Sequence, residues 1–90
     1  MYKRIITNQF VKDYKKSIKS GKDRNKIDSL MCKLTNQEPL EPKHKEHILT
    51  GNYKGHKECH ITPDWLLIYK LDIENNLITF VRTGTHSELF

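Results

Sequence analysis

The run WLLIYKL, residues 65–71, constrains the fold more than any other stretch of the chain. Its apolar side chains fall on both alternating faces, so a strand formed here needs cover above and below. Turn residues bound it: Pro63 and Asp64 before, then Glu74, Asn75 and Asn76 after. Proline presets the φ of a turn, and asparagine tolerates the left-handed backbone of a hairpin. Residues 77–83 supply the following strand. Residues 57–62 supply the preceding one, with Cys59 and Ile61 on one face and Glu58, His60 and Thr62 on the other.

Cover for that central strand comes from the N-terminal half. Residues 3–7, with Ile5 beside Ile6, read as a short strand. Asn8 is predicted to cap a helix in which Phe10, Tyr14 and Ile18 share one face. Lys12, Lys15, Lys16 and Lys19 occupy much of the remaining helical surface. Gly21 ends this helix, because glycine takes the positive φ a helix terminus needs. Asp23 is placed to cap a second helix, whose core stripe is Ile27, Leu30, Met31 and Leu34. Residues 36–52 lose all periodicity and contain Pro39, Pro42 and Gly51, so they read as an ordered loop against the sheet, carrying His47. The expected order is β-α-α-β-β-β: an α+β domain, residues 1–90, with a mostly antiparallel twisted sheet. Both helices pack on one face, and the other face is free to carry His60 and Arg82.

The net charge of +5 favours an anionic partner such as nucleic acid. No apolar run approaches the ~20 residues needed to span a bilayer, so no membrane partner is expected. The N-terminal MYKRIITNQF lacks the apolar core of a secretory signal. A cytoplasmic protein with Cys32 and Cys59 as reduced thiols is expected.

The chemistry concentrates in the second half. His47, His60 and His86 accompany Asp64, Trp65 and Arg82, and His44 is a weaker companion. Histidine gives and takes protons near neutrality. RNA carries its own nucleophile, the ribose 2′-hydroxyl, so cleavage needs a base, an acid and positive charge at the phosphate. Histidines or a carboxylate supply the first two, and arginine clamps phosphate. No cofactor is called for. Zinc is the competing reading, through His44, His47, Cys59 and His60, but adjacent strand residues point to opposite faces, which makes joint ligation by Cys59 and His60 awkward.

The segment HILTGNYKGHKECHITPDWLLIYKL, followed by FVRTGTHSELF, closely resembles the YafQ branch of the RelE-like bacterial toxins. These are the toxin halves of type II toxin–antitoxin pairs. The resemblance spans nearly the whole chain, is specific in the C-terminal half, and rests on pattern in the helices. It implies a fold similar to small microbial ribonucleases and metal-independent cleavage of messenger RNA in the ribosomal A site.

By position, the family's loop histidine falls on His47, its strand histidine on His60, and its aspartate–tryptophan pair on Asp64 and Trp65. The phosphate-binding arginine falls on Arg82, the C-terminal histidine on His86 and the terminal aromatic on Phe90. One departure is Ile48, where the family often has proline. The expected roles make His86 the general acid and give the base to His47 or to a His60–Asp64 pair. Arg82 holds the scissile phosphate, and Trp65 and Phe90 form the nucleotide pocket. Lys12, Lys15, Lys16, Lys19 and Lys22 are expected to hold ribosomal RNA. The resemblance also implies a cognate antitoxin in a 2:2 complex that binds operator DNA through the antitoxin. The rivals are a ribonuclease that needs no ribosome and a ParE-like toxin that inhibits by binding alone.

Overall fold

The computed structural model describes residues 1–90. In chain order the elements are β1 (Lys3–Ile6), α1 (Asn8–Lys19), α2 (Arg24–Thr35), β2 (His47–Ile48), β3 (Lys57–Thr62), β4 (Trp65–Asp72), β5 (Leu77–Gly84) and α3 (His86–Leu89). Single 3-10 turns occur at Pro42–His44 and Gly51–Tyr53. The strands form one sheet in the order β1-β5-β4-β3-β2. Only β1 and β5 pair in parallel.

The middle strand is β4, and residues 65 to 69 are at most 1% exposed. Trp65, Leu67 and Tyr69 join Phe10, Ile27, Leu30, Met31, Leu34 and Phe80 in the helix-side core. Leu66 and Ile68 pack with Leu89 on the opposite face, flanked by Leu49, Tyr53 and Val81. Burying each large apolar side chain contributes about 1.5–3 kcal/mol, so both faces of this strand stabilise the fold. The face opposite the helices is therefore roofed at one end, and functional groups there must surround that roof.

Three local details differ from the sequence expectation. Thr7, not Asn8, caps α1: its hydroxyl accepts from the Phe10 N–H at 3.0 Å and donates to the Val81 carbonyl at 3.1 Å. Strand β2 is an additional edge strand, too short to show a periodicity. Helix α3 is a further addition, opened by a reciprocal capping box between Thr85 and Glu88. Asp23 caps α2 as expected, and Gly21 has φ of 100°.

Candidate active site

The sheet register assembles the site. One row across four strands reads His47, Glu58, Ile68, Arg82. Directly opposed residues in a sheet share a face, so His47, Glu58 and Ile68 stand on the face away from α1 and α2, and Arg82 leaves β5 on that face while its guanidinium reaches Asp13 of α1. The adjoining row runs His60, Leu66, Gly84. Arg82 reaches this face through a bulge. Ile68 opposes Arg82 while Tyr69 opposes Phe80, which leaves Val81 as the extra residue. Unbroken alternation from Phe80 would have turned Arg82 toward the helices.

Helix α3 adds the remaining groups. It folds back over the face beside Gly84, where an added Cβ would meet Glu88 Oε1 at 3.1 Å and Cβ at 3.3 Å. Aromatic rings then follow one another. His47 and His60 have centroids 6.3 Å apart, and His60 and His86 are 5.9 Å apart. His86 lies 6.4 Å from Phe90, and Phe90 lies 5.6 Å from Tyr53. Tyr53 Oη sits 3.5 Å from Arg82 Nη1, which closes the series. His86 and Arg82 thus share one face, linked through Phe90 and Tyr53.

Each histidine has an acidic or carbonyl partner. The Glu58 side chain is only 5% exposed, and its Oε1 lies 3.4 Å from His47 Nε2 and 3.5 Å from His60 Nε2. The other nitrogen of His47, Nδ1, donates to the Lys45 carbonyl at 2.6 Å. Nδ1 of His60 faces the Pro63 carbonyl at 3.3 Å. Asp64 accepts from the ring of His86 at 3.0 Å and from its backbone N–H at 3.2 Å. Those bonds, the ring one foremost, hold the Asp64 carboxyl below its ordinary range. Arg82 binds Asp13 through Nε at 2.7 Å and Nη2 at 3.3 Å. That bond holds the guanidinium proton more firmly still.

These contacts correct several expectations. Asp64 partners His86, so there is no His60–Asp64 pair; the carboxylate beside His60 is Glu58. Glu58 is buried, and Arg82 pairs with Asp13 instead. Trp65 is 1% exposed in the helix-side core, so its ring cannot stack on a nucleotide. Lys22 lies 5.7 Å over that ring, in a cation–π contact. Phe90, by contrast, is 63% exposed. Lys12, Lys15 and Lys19 are exposed on α1, while Lys16 is exposed and paired with Glu88 at 2.9 Å. The four groups considered for zinc do not assemble, because Cys59 lies in the helix-side core. Burial also pushes its thiol up, away from the thiolate form. His44 donates to the His60 carbonyl at 2.6 Å and so braces β3 from outside.

Sequence reasoning missed Glu58, Tyr53 and Asp13 as partners. Glu58 was legible, since it shares the alternating face of His60. Asp13 was also legible, as a carboxylate between Phe10 and Ser17 on the buried stripe of α1. Tyr53 lies in an irregular turn with no periodic signal.

A twisted sheet with two helices on one face and a histidine–carboxylate row on the other defines a toxin of the RelE-like class. Comparison with known proteins narrows this. The family described as "Bacterial toxin of type II toxin-antitoxin system, YafQ" matches residues 2–90, and the chain belongs to that family. It is 46% identical over 85 residues to the mRNA interferase toxin YafQ of Escherichia coli K12, covering 93% of this chain and 90% of that one. The crystal structure of YafQ from E. coli BL21(DE3) superposes with a TM-score of 0.93 at 42% identity, over 100% of this chain and 99% of that one. YafQ in the E. coli DinJ–YafQ complex gives 0.90 at 43% identity, with the same coverage.

Proposed function

We propose that this toxin is a metal-independent endoribonuclease that cuts messenger RNA in the ribosomal A site and so stops translation. The observation that carries the reading is the continuous series His47, His60, His86, Phe90, Tyr53, Arg82 on one face. Its E. coli relative, an mRNA interferase toxin, supports the substrate.

In the mechanism the base takes the proton of the ribose 2′-hydroxyl, and the 2′-oxygen attacks phosphorus. The bond from phosphorus to the 5′-oxygen breaks, and the acid protonates that oxygen. The products are a 2′,3′-cyclic phosphate and a 5′-hydroxyl. His86 is the acid: Asp64 accepts from Nδ1 and stabilises the imidazolium, leaving Nε2 as the donor to the leaving oxygen. The base comes from the linked group His47, Glu58 and His60, of which the His60 ring is the one beside His86. Glu58 orients both His60 and His47. Arg82 meets the phosphate, and exposed Phe90 stacks on a base. Lys12, Lys15, Lys16 and Lys19 meet ribosomal RNA phosphates.

The DinJ–YafQ complex supports a cognate antitoxin for this chain. A 2:2 assembly that binds its operator through the antitoxin, in the cytoplasm, completes the proposal. No helix is long and apolar enough to cross a membrane.

The test is to map the 5′ and 3′ ends of transcripts cut in a translating extract, beside naked messenger incubated with the same protein. Cyclic or 3′-phosphate ends, found only with ribosomes, are the expected result. Ends bearing a 5′-phosphate would reject the chemistry, and equal cutting of naked messenger would reject the ribosome requirement.

A further inference from the structure

We infer that Asp13 is the positioning residue for Arg82, fixing the plane and direction in which the guanidinium is offered to the RNA phosphate. The inference rests on the nuclease reading above and assigns a role within it. Asp13 sits on α1 between Phe10 and Ser17, both buried, and is itself 8% exposed. A carboxylate at such a position is costly unless its oxygens are satisfied. Three of its four donors come from β5: Arg82 Nε at 2.7 Å, Arg82 Nη2 at 3.3 Å and the Thr83 backbone N–H at 3.2 Å; the fourth is the Gln9 side-chain amide one turn back on α1, at 3.0 Å.

The geometry selects one edge of the guanidinium. Nε and Nη2 form the side-on pair of the planar fork, so a carboxylate held there fixes the plane of all five N–H donors. Tyr53 bounds the Nη1 side. Donors on the end-on edge remain for a phosphate. An arginine without such a partner would lose its rotamer freedom only on binding RNA, and that cost would fall on catalysis. The bulge at Val81 and the Asp13 contact act together: one turns Arg82 to the working face, the other stops it swinging there. Arg82 also lines a polar cleft of about 240 Å³ shared with Lys12 and Lys16.

The experiment compares wild type, Asp13→Asn, Arg82→Ala and the double variant in single-turnover cleavage of ribosome-bound messenger. Thermal melts of each variant report folding. Asp13→Asn keeps the shape and one acceptor but loses the charge. It should lower kcat toward the roughly 100-fold that a small misplacement of a catalytic group can cost, with KM little changed. In the Arg82→Ala background the same substitution should cost nothing more. The Arg82 Nε–H resonance should be protected from exchange in wild type and lose that protection in Asp13→Asn.

Unchanged kcat in Asp13→Asn would overturn the inference, as would an equal loss in both backgrounds, which marks a purely structural role. A faster Asp13→Asn enzyme would overturn it too, since the carboxylate would then be holding the guanidinium back. Full activity of Arg82→Ala is a separate result: it rejects the proposed role of Arg82 and takes this inference with it.

Discussion

One oxygen of Asp64 accepts both the backbone N–H and the ring N–H of His86, at 3.2 and 3.0 Å. The carboxylate therefore fixes where α3 begins and which imidazole nitrogen faces outward. His86→Ala should lower kcat by about 10²–10⁴-fold, the usual worth of a positioned acid or base. Growth arrest that survives this substitution would mean the toxin inhibits by binding instead.

Asp64 also sets an expectation for pH. Its folded value lies below the ordinary one, so it stays ionised in mild acid; its share of stability is complete above the ordinary value and fades as pH falls toward the depressed one. Mild acid leaves the Asp64–His86 pair intact. Asp64→Asn should therefore reduce kcat without moving the acid limb of the cleavage profile. A limb that moves with this substitution would make Asp64 the titrating group.

Glu58 gives the counterpart at the other end of the histidine series. Glu58→Gln should preserve the fold and cost up to about 10²–10⁴-fold in kcat, because the two imidazoles then lose their shared anion. Rate measurements beside melting curves separate the effects. A wild-type rate would remove Glu58 from the machinery.

The two aromatics should divide sharply. Trp65→Ala should destabilise the protein by about 3–5 kcal/mol, as for any large core truncation, whereas Trp65→Phe should fold and cut normally. Phe90→Ala should leave stability intact and weaken substrate binding by about 1–3 kcal/mol, the worth of one stacked base. Denaturant titration and KM measurements check both. A catalytic defect in well-folded Trp65→Phe would restore that residue to the nucleotide pocket.

Glu88 predicts a stability change with pH. It is held down to about 2, first by the Thr85 backbone N–H and then by Lys16. Such a carboxyl adds stability that is complete above the unfolded value, about 4.3, and fades as pH falls toward the folded one. Glu88→Gln should lower Tm at neutral pH, and the gap should close with acid. Because Glu88 is largely exposed, screening keeps that gap small. A gap that widens with acid would contradict this assignment.

The core was readable because burial writes itself into period. Residues 65–69 carried it for β4, and Ile27, Leu30, Met31 and Leu34 for α2. The histidines and Arg82 were readable as residue types. Their partners were less so, because pairing depends on register: a bulge at Val81 and a shift between His60 and Thr62 decide which acid meets which base. Asp64 stood nearer His60 in sequence, yet α3 folds over and brings it His86. Trp65 was misplaced because an aromatic beside a turn aspartate reads the same whether it points in or out.

The parallel pairing of β1 with β5 sets Lys3 beside Leu77. A chain leaving the ribosome N-terminus first must hold its opening strand without a partner until β5 has emerged. Arg82, His86 and Phe90 arrive only then. The candidate site is thus assembled only once the last strand of the sheet has closed onto the first.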